Sequence, residues 1–383
     1  MRRIEYFRHG IGDEEIERIR EVASSLFITT GEEVYRFEET LARYLGVPHT
    51  VAVTSCTAAM QLALLAGGLE EGDEVVTTPM TFIGSANAVL MAGGRPVLAD
   101  VDRATGNLDP RAAEEAVTEK TRAILPVHLY GQMCDMDSLR DLADRHGLFI
   151  VEDAAHALEA EWNGRKPGSY GEFACFSFYA TKNITCGEGG AVSTRESGNC
   201  EALKRLRLHG FEEHAVDRYT SYYEQYDIRT FGWKYNMDSI HAAILNVQME
   251  KLDRWSGRRR EIFDRYREAF SRMDGIELHE TRAEARHACH LMTILVDPGI
   301  RDAVMRQLQE RGVGVSINFI PLHLMTYYRE RFGYAEGMFP AAEEIGARTI
   351  SLPLYPRLTD EEVEYVIESV ERSLAAAGGR GAG

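Results

Sequence analysis

The apolar positions of this chain change period several times, and each change marks a different kind of element. From about residue 14 to 45 they recur at helical spacing, with Ile16, Ile19, Val22, Ala23 and Leu26 on one face and Phe37, Leu41, Tyr44 and Leu45 on another. Thr29, Thr30 and Gly31 break the pattern into two helices. Short apolar runs then alternate with helical stretches. The runs at 50–53, 74–77, 96–100, 123–128, 148–152, 174–178 and 190–193 read as strands, and stretches such as 58–66 and 85–92 as the helices between the early ones. Gly67, Gly68, Gly93 and Gly94 supply helix stops. Such alternation predicts an α/β fold, a mostly parallel seven-stranded sheet flanked by helices. The last two runs follow one another without a full helix, which predicts an antiparallel member there.

Periodicity is lost between residues 209 and 231, where HGFEEHAVDRYTSYYEQYDIRTF reads as a long loop. A helix resumes over 237–252. Beyond about residue 255 the pattern gives a helix (258–270), a strand (291–296), a helix (300–310), a strand (313–318) and a last helix (361–376), a smaller C-terminal α+β unit. The expected division is therefore an N-terminal segment and large domain over 1–254, a small domain over 255–376, and a disordered tail over 377–383.

Composition narrows the function classes. Sixty acidic against 43 basic residues leave a formal charge of −17, which opposes attraction to nucleic acid or an anionic membrane surface. Any phosphate must be held by local donors. The six cysteines contain no CxxC pair, which predicts reduced thiols. The N-terminus lacks the apolar run of a signal peptide and no apolar stretch is long enough to span a bilayer, so a cytoplasmic, soluble protein is expected. The HACH run (His287, Cys289, His290) offers three crowded ligand types, and no metal site is expected from it.

The candidate chemistry lies at strand ends, where an α/β sheet places its ligands. Lys182 sits in FSFYATKNITCGEGG, between an apolar run and a glycine-rich loop, as a candidate Schiff-base nucleophile. In TSCTAAM a strand gives way to a helix near Thr57, and a helix N-terminus is a ready anion site. Asp153 closes the strand LFIVED, with His156 just beyond; Ser177 lies five residues before Lys182; Phe82 follows Thr77-Thr78-Pro79. An anion cradle, an acid, a flat aromatic and an amine together suit pyridoxal 5′-phosphate (PLP), whose phosphate, ring nitrogen, ring face and aldehyde each need one of them.

Along nearly its whole length, about residues 4–374, the sequence resembles the sugar aminotransferases of the DegT/DnrJ/StrS family, PLP enzymes of fold type I. The resemblance rests on IGDEEIERI, TSCTAAMQLAL, TTPMTFIGSANAVLMAGGRPVLADVD, VEDAAHALEA, SFYATKNITCGEGG, GWKYNMDSIHAAI and NFIPLHLMTYYRERFGY. It implies that Lys182 holds the cofactor covalently and shuttles protons, that Asp153 partners the ring nitrogen and that His156 lies near the ring's phenolic oxygen. It further implies that Phe82 stacks on the ring, that Thr57, Ala58 and Ser177 serve the phosphate, and that Asn236 reaches the cofactor of a neighbouring subunit in a homodimer. Thr30, Asn318 and His323 are its candidate substrate contacts. Cys56 stands where the family commonly has glycine, and Asn318 where a histidine often precedes IPLH.

The activity so implied moves an amino group from L-glutamate or glutamine to a keto-sugar nucleotide. KNITCGEGG resembles members that aminate C4 of a 4-keto-6-deoxy sugar. Amination of a C3 keto-sugar or a cyclitol ketone, or a PLP-binding regulatory protein without turnover, are the alternatives. The 209–231 loop, whose Tyr219, Tyr222, Tyr223 and Tyr226 offer stacking faces, reads equally as a surface for the nucleotide or as a solvent-exposed tyrosine-rich loop.

Overall fold

The computed structural model describes residues 2–211, 228 and 230–378. The first two helices are α1 (Asp13–Ala23) and α2 (Glu32–Leu45). Then come β1 (His49–Val53), α3 (Cys56–Ala66), β2 (Glu74–Thr77), α4 (Gly84–Met91), β3 (Arg95–Leu98), α5 (Pro110–Glu115) and β4 (Thr121–Leu125). α6 (Met136–His146), β5 (Phe149–Asp153), β6 (Glu161–Trp162), β7 (Phe173–Ser177), β8 (Gly190–Thr194) and α7 (Ser197–Leu206) complete the central region.

One sheet of seven strands organises it, in the order β1-β8-β7-β5-β4-β2-β3. β2, β3, β4, β5 and β7 pair in parallel, while β8 runs antiparallel to both β1 and β7. The antiparallel strand is where the missing helix in the sequence placed it. Side chains on each strand alternate between two apolar layers. Ala52, Ile124 and Ile150 join Val34, Phe37 and Leu41 of α2 on one face. Val51, Val75, Leu125 and Val151 join Ala59, Leu62 and Val89 of α3 and α4 on the other. Burial on both faces explains why these strands read as continuous apolar runs.

α8 (Ser239–Phe270) is one helix of 32 residues, started by Asp238, whose carboxylate accepts from the Ile240 and His241 N–H groups. The two helices expected over 237–252 and 258–270 are thus continuous, and the expected domain boundary at residue 254 falls inside this helix. β9 (Ala285–Arg286), β10 (Met292–Leu295), α9 (Arg301–Glu310), α10 (Thr326–Phe332), α11 (Pro340–Arg348), β11 (Thr349–Leu352) and α12 (Asp360–Gly378) follow. β6 pairs with β9 and β10 with β11, both antiparallel.

Three expectations change here. The strand predicted over 313–318 is not a regular strand; Val313 and Ser316 make isolated bridges to Ile4 and Ser351. β11, which the sequence did not announce, pairs with β10 instead. Ala377 and Gly378, assigned to the tail, belong to α12, and 379–383 lie outside the described residues. Ile4 packs into the C-terminal core beside Ile262, Phe270, Leu308 and Val366, so the first residues join the last unit rather than the large domain.

Candidate active site

Three parallel strands end at one side of the sheet and deliver the first site residues there. β5 ends on Asp153, β7 on Ser177, and β1 leads through Ser55 into α3. β8 starts at this same edge with Gly190, where a Cβ would sit 2.3 Å from the Ser55 carbonyl carbon and 2.6 Å from the Cys56 nitrogen. Only glycine allows the strand to approach the α3 turn so closely.

A cavity of about 570 Å³ opens over these strand ends, and Thr57, Phe82, Asp153, His156, Ser177, Lys182 and Asn318 all line it. These seven predicted residues, spread from the first sheet strand to the C-terminal unit, are brought together by the fold. The Ser55 hydroxyl caps α3 by accepting from the Ala58 N–H at 3.1 Å. That spends the Ala58 donor on the cap, and the Ala58 side chain is buried in the core. The donors this turn leaves open to an anion are therefore the Cys56 and Thr57 N–H groups, which a helix leaves without intrahelical partners, and the Thr57 hydroxyl.

Asp153 is 5% exposed and its carboxylate is held from two sides. Oδ2 accepts from the Ser85 hydroxyl at 2.7 Å and Oδ1 from the Ala155 N–H at 3.1 Å. The Ser85 oxygen is in turn 2.7 Å from the Thr81 hydroxyl. Ser85 and Thr81 were not singled out in the sequence, although Ser85 lies one helical turn after Phe82. Cys56 Sγ lies 3.9 Å from Asp153 Oδ1. Burial, then the Asp153 charge, push the Cys56 thiol well above its ordinary range, so it is a neutral donor.

Lys182 follows β7 in a turn closed by its own N–H on the Tyr179 carbonyl at 2.9 Å. Burial of the amine lowers its pKa to about 8, against the opposing pull of Asp153. A useful fraction of the amine is then neutral and nucleophilic near neutral pH. His156 presents a buried Nδ1 with no hydrogen-bond partner. Its ring lies 4.4 Å from that of His290 and 6.0 Å from Phe319, centroid to centroid. Burial, then the Lys182 charge, hold the His156 imidazole well below its usual pKa, hence neutral. Phe82 is 62% exposed and its ring stands 6.4 Å from that of Phe319.

The C-terminal unit closes the other side. Asn318 Oδ1 accepts from the Tyr6 hydroxyl at 2.9 Å, and its carbonyl from Tyr130. His323, expected as a substrate contact, is instead fully buried outside the cavity wall, its Nε2 2.8 Å from Glu343 and its ring against Phe339. Thr30 and Asn236 do not line the cavity either. They bond to each other, Asn236 Nδ2 to Thr30 Oγ1 at 2.7 Å. The four loop tyrosines, Tyr219, Tyr222, Tyr223 and Tyr226, lie outside the described residues.

The HACH side chains have separate engagements. His287 Nδ1 accepts from the Cys289 N–H at 2.9 Å, and His290 Nδ1 is 2.9 Å from Asn183 Oδ1. Among the described residues no group of three or more His, Cys, Asp or Glu side chains is placed to hold a metal ion. No helix among them is long and apolar enough to cross a membrane.

The residues present fit PLP. A lysine with a lowered pKa, a fixed carboxylate, an unpartnered buried imidazole nitrogen and a helix N-terminus share one cavity. The profile of the DegT/DnrJ/EryC1/StrS aminotransferase family matches residues 9–371. The spore coat polysaccharide biosynthesis protein SpsC of Bacillus subtilis (strain 168) is 43% identical over 369 residues, 94% of each chain. The putative sugar aminotransferase Spr1654 of Streptococcus pneumoniae, solved in a PMP form, superposes with a TM-score of 0.93 at 30% identity, covering 98% of this chain and 100% of that one. DesV of S. venezuelae superposes with a TM-score of 0.87 at 37% identity over 94% of each chain. The chain belongs to the DegT/DnrJ/EryC1/StrS aminotransferase family and is a PLP-dependent aminotransferase of fold type I.

Proposed function

We propose that the protein transfers an amino group from L-glutamate or glutamine to a keto-sugar nucleotide, at C4 of a 4-keto-6-deoxy sugar. The observation that carries this reading is the shared cavity, in which Lys182, Asp153 and the α3 N-terminus face a space large enough for a cofactor and a substrate beside it. The names of the relatives, a polysaccharide biosynthesis protein and a sugar aminotransferase, support a sugar acceptor. The C4 position rests on the resemblance of KNITCGEGG to C4 enzymes.

When bound, PLP supplies the aldehyde that takes up the amino group and a ring that stores the electrons freed at the substrate's α-carbon. Lys182 would hold the cofactor covalently, and its free amine, when neutral, would accept and return a proton. Asp153 would favour a proton on the ring nitrogen, with Ser85 and Ala155 fixing its two oxygens. Cys56, Thr57 and Ser177 would hold the phosphate, Phe82 would cover one ring face and His156 Nδ1 would face the phenolic oxygen. Asn318, tied to Tyr6, contacts the sugar.

A homodimer completes the site in this reading. Asn236 lies off this chain's cavity, and exposed apolar side chains stand in the chain segments around it and Thr30: Leu26 at 87%, Ile28 at 54% and Phe231 at 74% exposure. Bonds from Ser239 N–H to the Ile28 carbonyl and from Asn236 to Thr30 join the two segments. Exposed apolar side chains in these segments suit burial against a second copy, which would place Asn236 at the partner's phosphate. The test is a two-stage assay: L-glutamate is added to the purified holoprotein, and the aminated cofactor form is then offered a panel of nucleotide-linked 4-keto and 3-keto sugars and cyclitol ketones. Return of the starting spectrum with 4-keto-6-deoxy sugars alone supports the proposal. Recovery only with a 3-keto sugar or a cyclitol ketone, or no response to any amino donor, overturns it.

A further inference from the structure

A buried polar cluster lies directly behind Lys182, and the chemistry described so far makes no use of it. Its centre is Asn183, the next residue in the chain. Asn183 Nδ2 donates to both oxygens of the buried Glu159 carboxylate at 2.9 Å and to the Ala288 carbonyl at 3.2 Å. A backbone carbonyl only accepts, so the side of the amide facing Ala288 must be its NH₂ group, whatever the protonation of Glu159. Asn183 Oδ1 therefore faces His290, whose Nδ1 lies 2.9 Å away. An amide oxygen cannot donate, so His290 Nδ1 must carry the proton.

His290 is 4% exposed, lines the cavity and packs its ring against that of His156. Burial, His156 and Lys182 all oppose a positive charge on it and hold its pKa well below the ordinary value. A neutral ring protonated at Nδ1 has its lone pair at Nε2. Glu159 is a fixed anchor in its turn: 4% exposed, its carboxyl raised above the usual range by burial, with the buried Arg259 opposing that rise. Arg259 is itself tied to the Leu354 carbonyl at 2.9 Å.

We propose that Asn183, oriented by the Ala288 carbonyl, is a positioning residue that locks His290 as the neutral Nδ1–H tautomer, making its Nε2 a stationary hydrogen-bond acceptor in the cavity beside Lys182. Free imidazoles favour the opposite tautomer, so the lock is a measurable property of the chain. A cavity wall with an acceptor at this point favours ligand hydroxyls and the Lys182 ammonium over anionic groups. The same amide also tethers the backbone immediately after Lys182, which couples the lysine's placement to the tautomer of His290.

The test is ¹⁵N NMR of the full-length holoprotein labelled in its histidine rings, with the His290 signals assigned by their loss in His290→Gln. At neutral pH the proposal expects a proton on Nδ1 and none on Nε2. In Asn183→Ala the signal should revert to the Nε2–H form or to an exchange average, and kcat should fall while the pH profile of the glutamate half-reaction shifts. Glu159→Gln should retain the tautomer, because Ala288 still orients Asn183, and serves as the folded control. A wild-type His290 that carries its proton on Nε2, or an Asn183→Ala protein with unchanged His290 signals, overturns the proposal.

Discussion

Ser85 gives the sharpest quantitative expectation, because its one hydroxyl holds the carboxylate on which ring protonation depends. Ser85 is 1% exposed and Asp153 5%, so the 2.7 Å bond between them is screened from water. A hydrogen bond to a charged group contributes about 1.5–3 kcal/mol. In Ser85→Ala the Asp153 Oδ2 loses that donor, while Oδ1 keeps the Ala155 N–H and the weak Cys56 thiol donor. The carboxylate is then held from one side only and supports a charged ring nitrogen less well. At about 1.4 kcal/mol per decade of rate, kcat/KM for the glutamate half-reaction should fall by about tenfold to a hundredfold. Thr81→Ala removes only the hydroxyl behind Ser85 and should cost less, about two- to fivefold, in keeping with about 0.5–1 kcal/mol for a neutral bond. The assay is stopped-flow absorbance of the holoprotein mixed with L-glutamate, with cofactor content checked beforehand. A Ser85→Ala enzyme within twofold of wild type would refute the reasoning, since the bond would then do nothing for Asp153 in the reaction.

Four further outcomes follow from other parts of the fold. Lys182→Ala should lose about 10²–10⁴-fold in kcat, the usual reach of a positioned acid–base group, while still binding cofactor non-covalently in equilibrium dialysis. Capture of PLP by the cofactor-free protein should accelerate as pH rises and level off above about 8, because the lowered pKa of Lys182 sets the fraction of neutral amine; a rate still climbing towards pH 10 speaks against that burial effect. Gly190→Ala should weaken cofactor binding about tenfold or more, since the new Cβ would press within 2.3 Å of Ser55 and displace the α3 turn, a strain on the order of 1–3 kcal/mol. Arg207→Ala should destabilise the fold by about 3–5 kcal/mol in urea unfolding, because it strands the buried Glu38 carboxylate that Arg207 pairs with.

The sheet was legible because its strands are buried on both faces. Ile124 and Val151 serve opposite apolar layers, so an unbroken apolar run was a reliable sign of a strand. The C-terminal unit was less legible. VGVSIN has strand composition yet meets its neighbours only at isolated bridges, whereas four residues, TISL, gain a full partner in β10. Pairing depends on what lies opposite, and a single segment does not carry that information. α8 continues through Trp255 and Gly257 because its first half packs against α1 and α2 and its second half enters the C-terminal core.

The site divides in the same manner. Asp153, Ser177 and Lys182 stand at or after strand ends, a position that sequence can show. Ser85 meets Asp153 across 68 residues, and His290 meets Asn183 across 107, so only the folded chain reveals them. His323 was a candidate through the resemblance alone, which does not show that Glu343 satisfies it in the interior. Ala58 was half right: its turn faces the cavity, but its N–H is taken by the Ser55 cap.

The central claim is that Lys182 carries the cofactor in a cavity built around it. Reduction of the holoprotein with borohydride, followed by proteolysis and mass spectrometry of the peptides, tests it most directly. The account predicts one phosphopyridoxyl adduct, on Lys182 in the segment from Phe176 to Gly190. An adduct on another lysine, or none in a protein that has bound PLP, would contradict it.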